Sequence, residues 1–126
     1  MRDVASQWSG GDDTIRIKVS LTMLPKFRAG VTVLAVLSAL DRRETYGYEI
    51  RREAHKKTRG VFTVNEGALY QLLRVLVRRG FVRVRQEEVG GRCRKYYRLT
   101  AAGRKEFSKL RHDWKNSRKV LDALLD

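Results

Sequence analysis

Residues 63–99 read TVNEGALYQLLRVLVRRGFVRVRQEEVGGRCRKYYRL, and the fold turns on how this stretch changes period. Its first half is helical. Leu69, Leu72, Leu73, Leu76 and Val77 follow steps of three, one, three and one, which place them on one face of a 3.6-residue helix. Gly67, Tyr70, Gln71, Arg74 and Arg78 take the opposite face. Two residues compete to cap the start: Thr63 with Glu66 fits a capping box, and Asn65 is a good cap by itself. Arg78 and Arg79 followed by Gly80 form a helix stop, cations against the dipole and then a glycine. The second half is extended. Phe81, Val82 and Val84 alternate with Arg83 and Arg85, while Tyr97 and Leu99 alternate with Tyr96 and Arg98. Between these runs, Val89-Gly90-Gly91-Arg92 is a glycine turn.

A helix and then a hairpin, both carrying cations outward, is the physical description of a winged helix-turn-helix. The predicted fold class is therefore mainly α with a small β-hairpin. The outward face of the helix has what a major groove needs: Gln71 to pair with an adenine edge and Arg74 with a guanine edge. Gly67 lies in the first turn, where a missing side chain lets backbone amides approach a phosphate. Tyr70 can donate to a phosphate or pack on a sugar. Arg92, Arg94 and Lys95 sit at or beside the hairpin tip, where contacts to phosphate position a protein without reading sequence. The predicted DNA surface is thus Asn65, Gly67, Tyr70, Gln71, Arg74, Arg92, Arg94 and Lys95. The competing reading, a merely solvated basic helix face, leaves the hairpin unexplained.

YGYEI (Tyr46 to Ile50), GALY (Gly67 to Tyr70) and RKYYRLTAAGR (Arg94 to Arg104) resemble the PadR family of bacterial transcriptional regulators. The likeness runs in order over roughly residues 26–125, and RKYYRLT followed by xxG is among the family's most specific strings. The resemblance implies a winged-helix homodimer, usually a repressor, that releases its operator when a small molecule binds or conditions change.

The 126 residues suit one domain with a tail, and a core of that size gains from a partner subunit. There are 28 Lys+Arg against 14 Asp+Glu, a formal charge of +14, which steers a protein to polyanions. Charge alone does not separate DNA from RNA or an anionic membrane. Met1 to Gly11 has no apolar core of the kind a secretory signal carries. The longest mostly apolar run, Val31 to Leu40, is too short to span a bilayer. One cysteine, Cys93, makes no intrachain disulfide. These features predict a cytoplasmic protein with no membrane partner.

Taken in order, residues 1–24 read as an N-terminal extension, 25–99 as the DNA-binding domain and 100–126 as a dimerisation helix. Met1 to Asp13 is polar and glycine-containing, and is expected to be disordered. Ile15, Ile17, Val19 and Leu21 then alternate with polar residues at strand period. That run can add to an edge of the wing or lead loosely into the first helix. Pro25 suits a helix opening, and Lys26 to Leu40 is apolar nearly all round, so burial on most sides is expected. Thr45 is expected to cap a second helix over Tyr46 to Lys57. Tyr46, Ile50 and Ala54 would face inward, and Arg51, Arg52, Lys56 and Lys57 outward. Thr100 caps the last helix, roughly Ala101 to Leu125. Its residues Phe107, Leu110, Trp114, Ser117, Leu121 and Leu124 follow steps of 3, 4, 3, 4 and 3, a heptad seam that suits pairing with another helix. Little of the chain's own domain is left for such a helix to cover, which favours homodimerisation over back-packing.

Trp114 interrupts the aliphatic seam. Some multidrug-binding members of the family carry a Trp at this point and sandwich flat aromatic ligands there. Phe107, Arg111, Trp114 and Arg118 are thus a candidate effector site for an aromatic, anionic molecule, against the plainer reading of Trp114 as interface core. Cys93 lies between Arg92 and Arg94, surroundings that favour a reactive thiol. An incidental cysteine is the simpler reading. His55 and His112 fall on separate helices and one Cys does not complete a zinc set, so no metal and no cofactor are expected. No nucleophile has an evident base and orienting partner, and no phosphate-cradling glycine loop appears, so catalysis is not expected. The resulting reading is a sequence-specific, homodimeric repressor of a double-stranded operator. Its first rival is a basic architectural or RNA-binding winged helix without an effector, and its second a protein-interaction module that has lost DNA reading.

Overall fold

In the computed structural model, residues 25–126 are described. The expectations for Met1 to Asp13 and for Ile15 to Leu21 lie outside them. The described elements are α1 (Pro25–Arg42), β1 (Thr45–Tyr46), α2 (Gly47–Lys57), α3 (Glu66–Arg78), β2 (Val82–Val89), β3 (Arg92–Leu99) and α4 (Ala101–Leu125). The chain divides into two compact units, Met1–Val31 and Thr32–Asp126. Of the first, the described part is the opening of α1. The second contains the remainder of α1 and every later element.

The core of the second unit is built where the periodic stripes meet. Val36, Leu37 and Leu40 of α1, Ile50 and Ala54 of α2, and Leu69, Leu73 and Leu76 of α3 are buried, with Val82, Tyr97 and Leu99 of the sheet. Leu72 and Val77, predicted on the inner face of α3, are half-buried at its margin. Along α1 burial is less complete than an all-round apolar pattern suggests: Val33 and Leu34 are half-buried.

Three expectations for the second helix are corrected, the first being that Tyr46 does not face inward from it: Tyr46 lies in β1, half-buried against Tyr96 and Arg94. Thr45 does not cap it. Thr45 is buried and belongs to β1, where it pairs with Tyr97, while Tyr46 pairs with Tyr96 and holds the N-cap position without a side-chain cap. The sheet thus has three strands in the order β1-β3-β2, one more than the hairpin alone. Arg51 is not a solvated cation. Its Nε donates to the Val64 carbonyl at 3.0 Å. Thr58 holds the other end of the same loop: its Oγ1 donates to Ala54 O at 2.9 Å and accepts from the Phe62 amide at 3.0 Å. With Phe62 and Val64 buried, the loop from α2 to α3 is pinned at both ends. Its turn is strained at one point, because Arg59 follows the C-cap in the left-handed region at φ 53°.

α3 ends as predicted. Gly80 takes φ 81°, its amide donates to Val77 O, and the Phe81 amide reaches back to Leu76 O at 2.9 Å. This is a Schellman closure, which satisfies carbonyls the helix would otherwise leave open. Gly90 and Gly91 form the two-residue hairpin turn, both with positive φ, and Val89 pairs with Arg92 directly across it. Thr100 caps α4, its Oγ1 accepting from the Gly103 amide at 3.0 Å. The same hydroxyl donates to Gly80 O at 2.6 Å, and the Thr100 amide donates to Phe81 O at 3.0 Å. Gly103 completes the junction: a Cβ there would run into the Phe81 carbonyl.

Two substitutions test this account in urea unfolding. Gly103→Ala should destabilise the chain by about 1–3 kcal/mol, because a backbone oxygen cannot step aside for the new methyl. Arg59→Gly should stabilise it by about 1 kcal/mol, by relieving the left-handed strain.

Candidate nucleic-acid interface

The recognition helix is seated before it is charged. Asn65 wins the competition for the N-cap, its Oδ1 accepting from the Ala68 amide at 3.0 Å. Its carbonyl side is therefore engaged by the helix. Gly67 beside it is exposed, and a Cβ there would press on that same Oδ1 at 3.3 Å. Gln71, Arg74 and Arg78 lie along one side of α3, all three exposed. Tyr70 is half-buried, and its phenol lies over Gly47, where any side chain would meet it. Tyr70 thus joins the recognition helix to the start of α2.

The wing divides the cations that the sequence grouped at its tip. Residues paired across an antiparallel ribbon share a face. Val82 with Leu99, Val84 with Tyr97, Gln86 with Lys95 and Glu88 with Cys93 make up one face. Arg83 with Arg98, Arg85 with Tyr96, Glu87 with Arg94 and Val89 with Arg92 make up the other. The first face turns towards α3. Tyr97 is buried on it, and its phenol feels both Tyr70 and Arg74. Lys95 therefore shares the side of the recognition helix, whereas Arg92 and Arg94 project from the opposite side of the ribbon. The exposed Cys93 thiol rests on Gln86 Oε1 at 3.1 Å.

A cleft runs between the wing tip and the start of α2, lined by Tyr46, Gly47, Tyr48, Tyr70, Arg92, Cys93, Arg94 and Lys95. Tyr46 and Tyr48 were not among the predicted contact residues. Their signal is the spacing Tyr-Gly-Tyr at a strand-to-helix turn, which puts an aromatic on either side of a residue that accepts no side chain. Basic groups interleaved with aromatics suit a sugar–phosphate backbone.

Of the remaining predicted residues, Phe107 is buried within the chain itself, and Leu110 and Trp114 are half-buried. Arg111, Ser117 and Arg118 are exposed, as are Leu121 and Leu124. Among the described residues, no group of three or more His, Cys, Asp or Glu is placed to hold a metal ion. No described helix is long and apolar enough to cross a membrane.

A recognition helix with an exposed polar and basic face, backed by a three-stranded wing, defines the chain as a winged-helix DNA-binding transcription regulator. Residues 36–109 match the transcriptional regulator PadR-like family, more than half of the chain, and the protein belongs to that family. Solved relatives agree along most of their length. A PadR family transcriptional regulator from Eggerthella lenta is 26% identical with a TM-score of 0.76, the match covering 90% of this chain and 97% of that one. A transcriptional regulator from Clostridium thermocellum is 26% identical with a TM-score of 0.75, covering 82% and 99%. A PadR family transcription regulator from Clostridium difficile is 26% identical with a TM-score of 0.64, covering 75% and 98%. Proteins of this family are regulators, not enzymes.

Tyr97 gives the site a pH signature. Burial pushes its phenol above the ordinary tyrosine value of 10.0, Tyr70 adds to the rise, and Arg74 opposes it. A raised folded-state value means that the unfolded chain loses this proton first. Stability is then complete below about pH 10 and declines as the pH climbs through the folded value. Alkaline titration at the tyrosinate absorbance should show a late-ionising tyrosine. Tyr97→Phe should abolish it and flatten the decline in stability above pH 10.

Proposed function

We propose that this regulator is a homodimeric repressor of a pseudo-palindromic operator, acting in the cytoplasm and released by a small aromatic effector. The observation that carries the DNA half is the row Gln71, Arg74 and Arg78 on a helix whose opposite face is locked in the core. Gln71 and Arg74 read base edges. Gly67 brings backbone amides to phosphate, and Asn65 holds that first turn in shape. Lys95, on the face shared with α3, and Arg92 at the turn hold the flanking phosphates, with Tyr48 beside them in the cleft.

The assembly half rests on α4. Val120, Leu121, Leu124 and Leu125 are 58%, 44%, 74% and 82% exposed, more than an aliphatic row gives to water without cause. With Phe107 already buried, the shared seam begins at Leu110 and runs through Trp114, Ser117, Leu121 and Leu124, and half-buried Val33 and Leu34 of α1 add to it. Two copies joined this way present two recognition helices about 34–36 Å apart, one turn of duplex. Trp114, close to the two-fold axis, flanks a slot for a flat ligand, with Arg111 and Arg118 as its anionic partners' counter-charges.

The test is a titration against duplex from the chain's own upstream region, with random duplex of equal length alongside, at low and near-physiological salt. Specific recognition predicts a preference that survives the higher salt. Equal binding that collapses with salt favours the architectural alternative. Arg74→Ala should cost about 1–3 kcal/mol and relax specificity at one base pair, while Lys95→Ala should weaken all sequences alike and lower the salt slope by about one. Identical effects of the two changes on specific and random duplex would overturn this division of labour.

A further inference from the structure

The outer face of the sheet carries a continuous chain of contacts that reaches the cleft at Tyr46 and Arg94 and runs beyond it to Arg85 and Glu44. Glu44 precedes β1, and its carboxylate takes Arg85 of β2 in a fork, with Nε to Oε2 and Nη2 to Oε1 both at 2.9 Å. Arg85 also donates to Glu87 at 2.6 Å. Its guanidinium lies 4.6 Å from the centre of the Tyr96 ring. Tyr96 meets Tyr46 edge-on, ring centres 5.6 Å apart at 69°. Arg94 closes the row, 4.1 Å over the Tyr46 ring and 3.5 Å from the Tyr96 hydroxyl. The register explains the row: Tyr46, Tyr96 and Arg85 are successive partners across β1, β3 and β2, so they form one rung.

The ends of this row matter. β1 runs directly into α2, whose first residue, Gly47, is packed under Tyr70 of the recognition helix. β1 is thereby fixed to α3. The distal wing has no comparable support, because beyond Val82 every side chain of β2 is exposed. A two-stranded ribbon left to itself is marginal in water. The direction in which the tip points is therefore set by what ties the ribbon to β1. Arg94, expected from the sequence to grip phosphate, is occupied in that tie.

We propose that Glu44 and Arg85 are positioning residues for DNA binding: acting through Tyr96, Tyr46 and Arg94, they clamp the wing to β1 and so set where Arg92 and Lys95 stand relative to the recognition helix. This rests on the reading of Arg92 and Lys95 as phosphate contacts. The role has a diagnostic sign. Glu44→Gln removes a negative charge from a DNA-binding protein, which by charge alone tightens its hold on a polyanion. As a clamp residue, Glu44 must do the reverse.

The experiment uses the full chain and a duplex that the wild-type protein selects from a random pool. Glu44→Gln, and Arg85→Lys, which keeps the charge but loses the fork, should each weaken binding about threefold to tenfold. The salt slope should stay unchanged, since no phosphate contact is lost. With Arg92→Ala and Lys95→Ala already in place, neither substitution should weaken binding further. A second arm needs no DNA: a nitroxide on the native Cys93 should become more mobile in both variants. Unchanged label mobility overturns the clamp, and so does unchanged or tighter binding by Glu44→Gln where Arg92→Ala and Lys95→Ala do weaken wild-type binding. A mobile label in the variants with no effect of Arg92→Ala and Lys95→Ala on wild-type binding upholds the clamp and rejects the phosphate contacts.

Discussion

The molecule depends on a junction one residue wide. The Thr100 hydroxyl donates to Gly80 O and accepts from the Gly103 amide, while the Thr100 amide donates to Phe81 O. At that point the recognition helix has just ended, the last strand has just finished and the last helix begins. Each element has backbone groups left over by its own geometry, and each supplies what another lacks. Gly103 lets α4 come close enough for this, since the space a side chain needs is held by the Phe81 carbonyl. The roots of the recognition helix, the wing and α4 are thus joined largely through main-chain groups, while the course of the distal wing is left to its ties to β1.

On that frame the polar residues fall into two kinds. Gln71, Arg74 and Arg78 belong to a helix whose other face is buried, so their spacing is that of a rigid rod. Tyr70, Arg51 and Thr58 carry polar groups yet hold the framework. Arg51 fastens the loop ahead of α3, Thr58 bridges it, and Tyr70 rests on Gly47. Side-chain chemistry alone does not divide these groups, because a guanidinium that meets a carbonyl and one that meets a phosphate look the same in one dimension.

This is also why the sequence is legible in some places and not in others. The inner face of α3, its stop at Gly80, the Gly90-Gly91 turn and the Thr100 cap all depend on neighbours within a few residues, and each can be read from local period and turn chemistry. β1 could not be read that way. A threonine just ahead of a helix looks like a cap, and its partner Tyr97 is supplied by the far end of the chain. The Glu44–Arg85 fork spans 41 positions and left no local mark. The split of the wing cations was available in principle: counting alternate residues away from the glycine turn separates Arg92 and Arg94 from Lys95 once the strands are known to be regular. For the residues expected to meet DNA, what the sequence leaves out is which of them are already engaged within the fold, as Arg94 is by Tyr46 and Tyr96.

α4 divides its length between two environments. It is buried at Gly103 and Phe107, and beyond Trp114 every position is exposed. A helical segment of that length gains little from itself in water. The far half of α4 therefore has almost no energetic claim on the half of the chain that carries the recognition helix. Substitutions at Leu121, Leu124 or Leu125 can alter what the helix meets without shifting an atom of α3. The far end of α4 and the exposed face of α3 can thus drift on separate courses, each free of the other's packing.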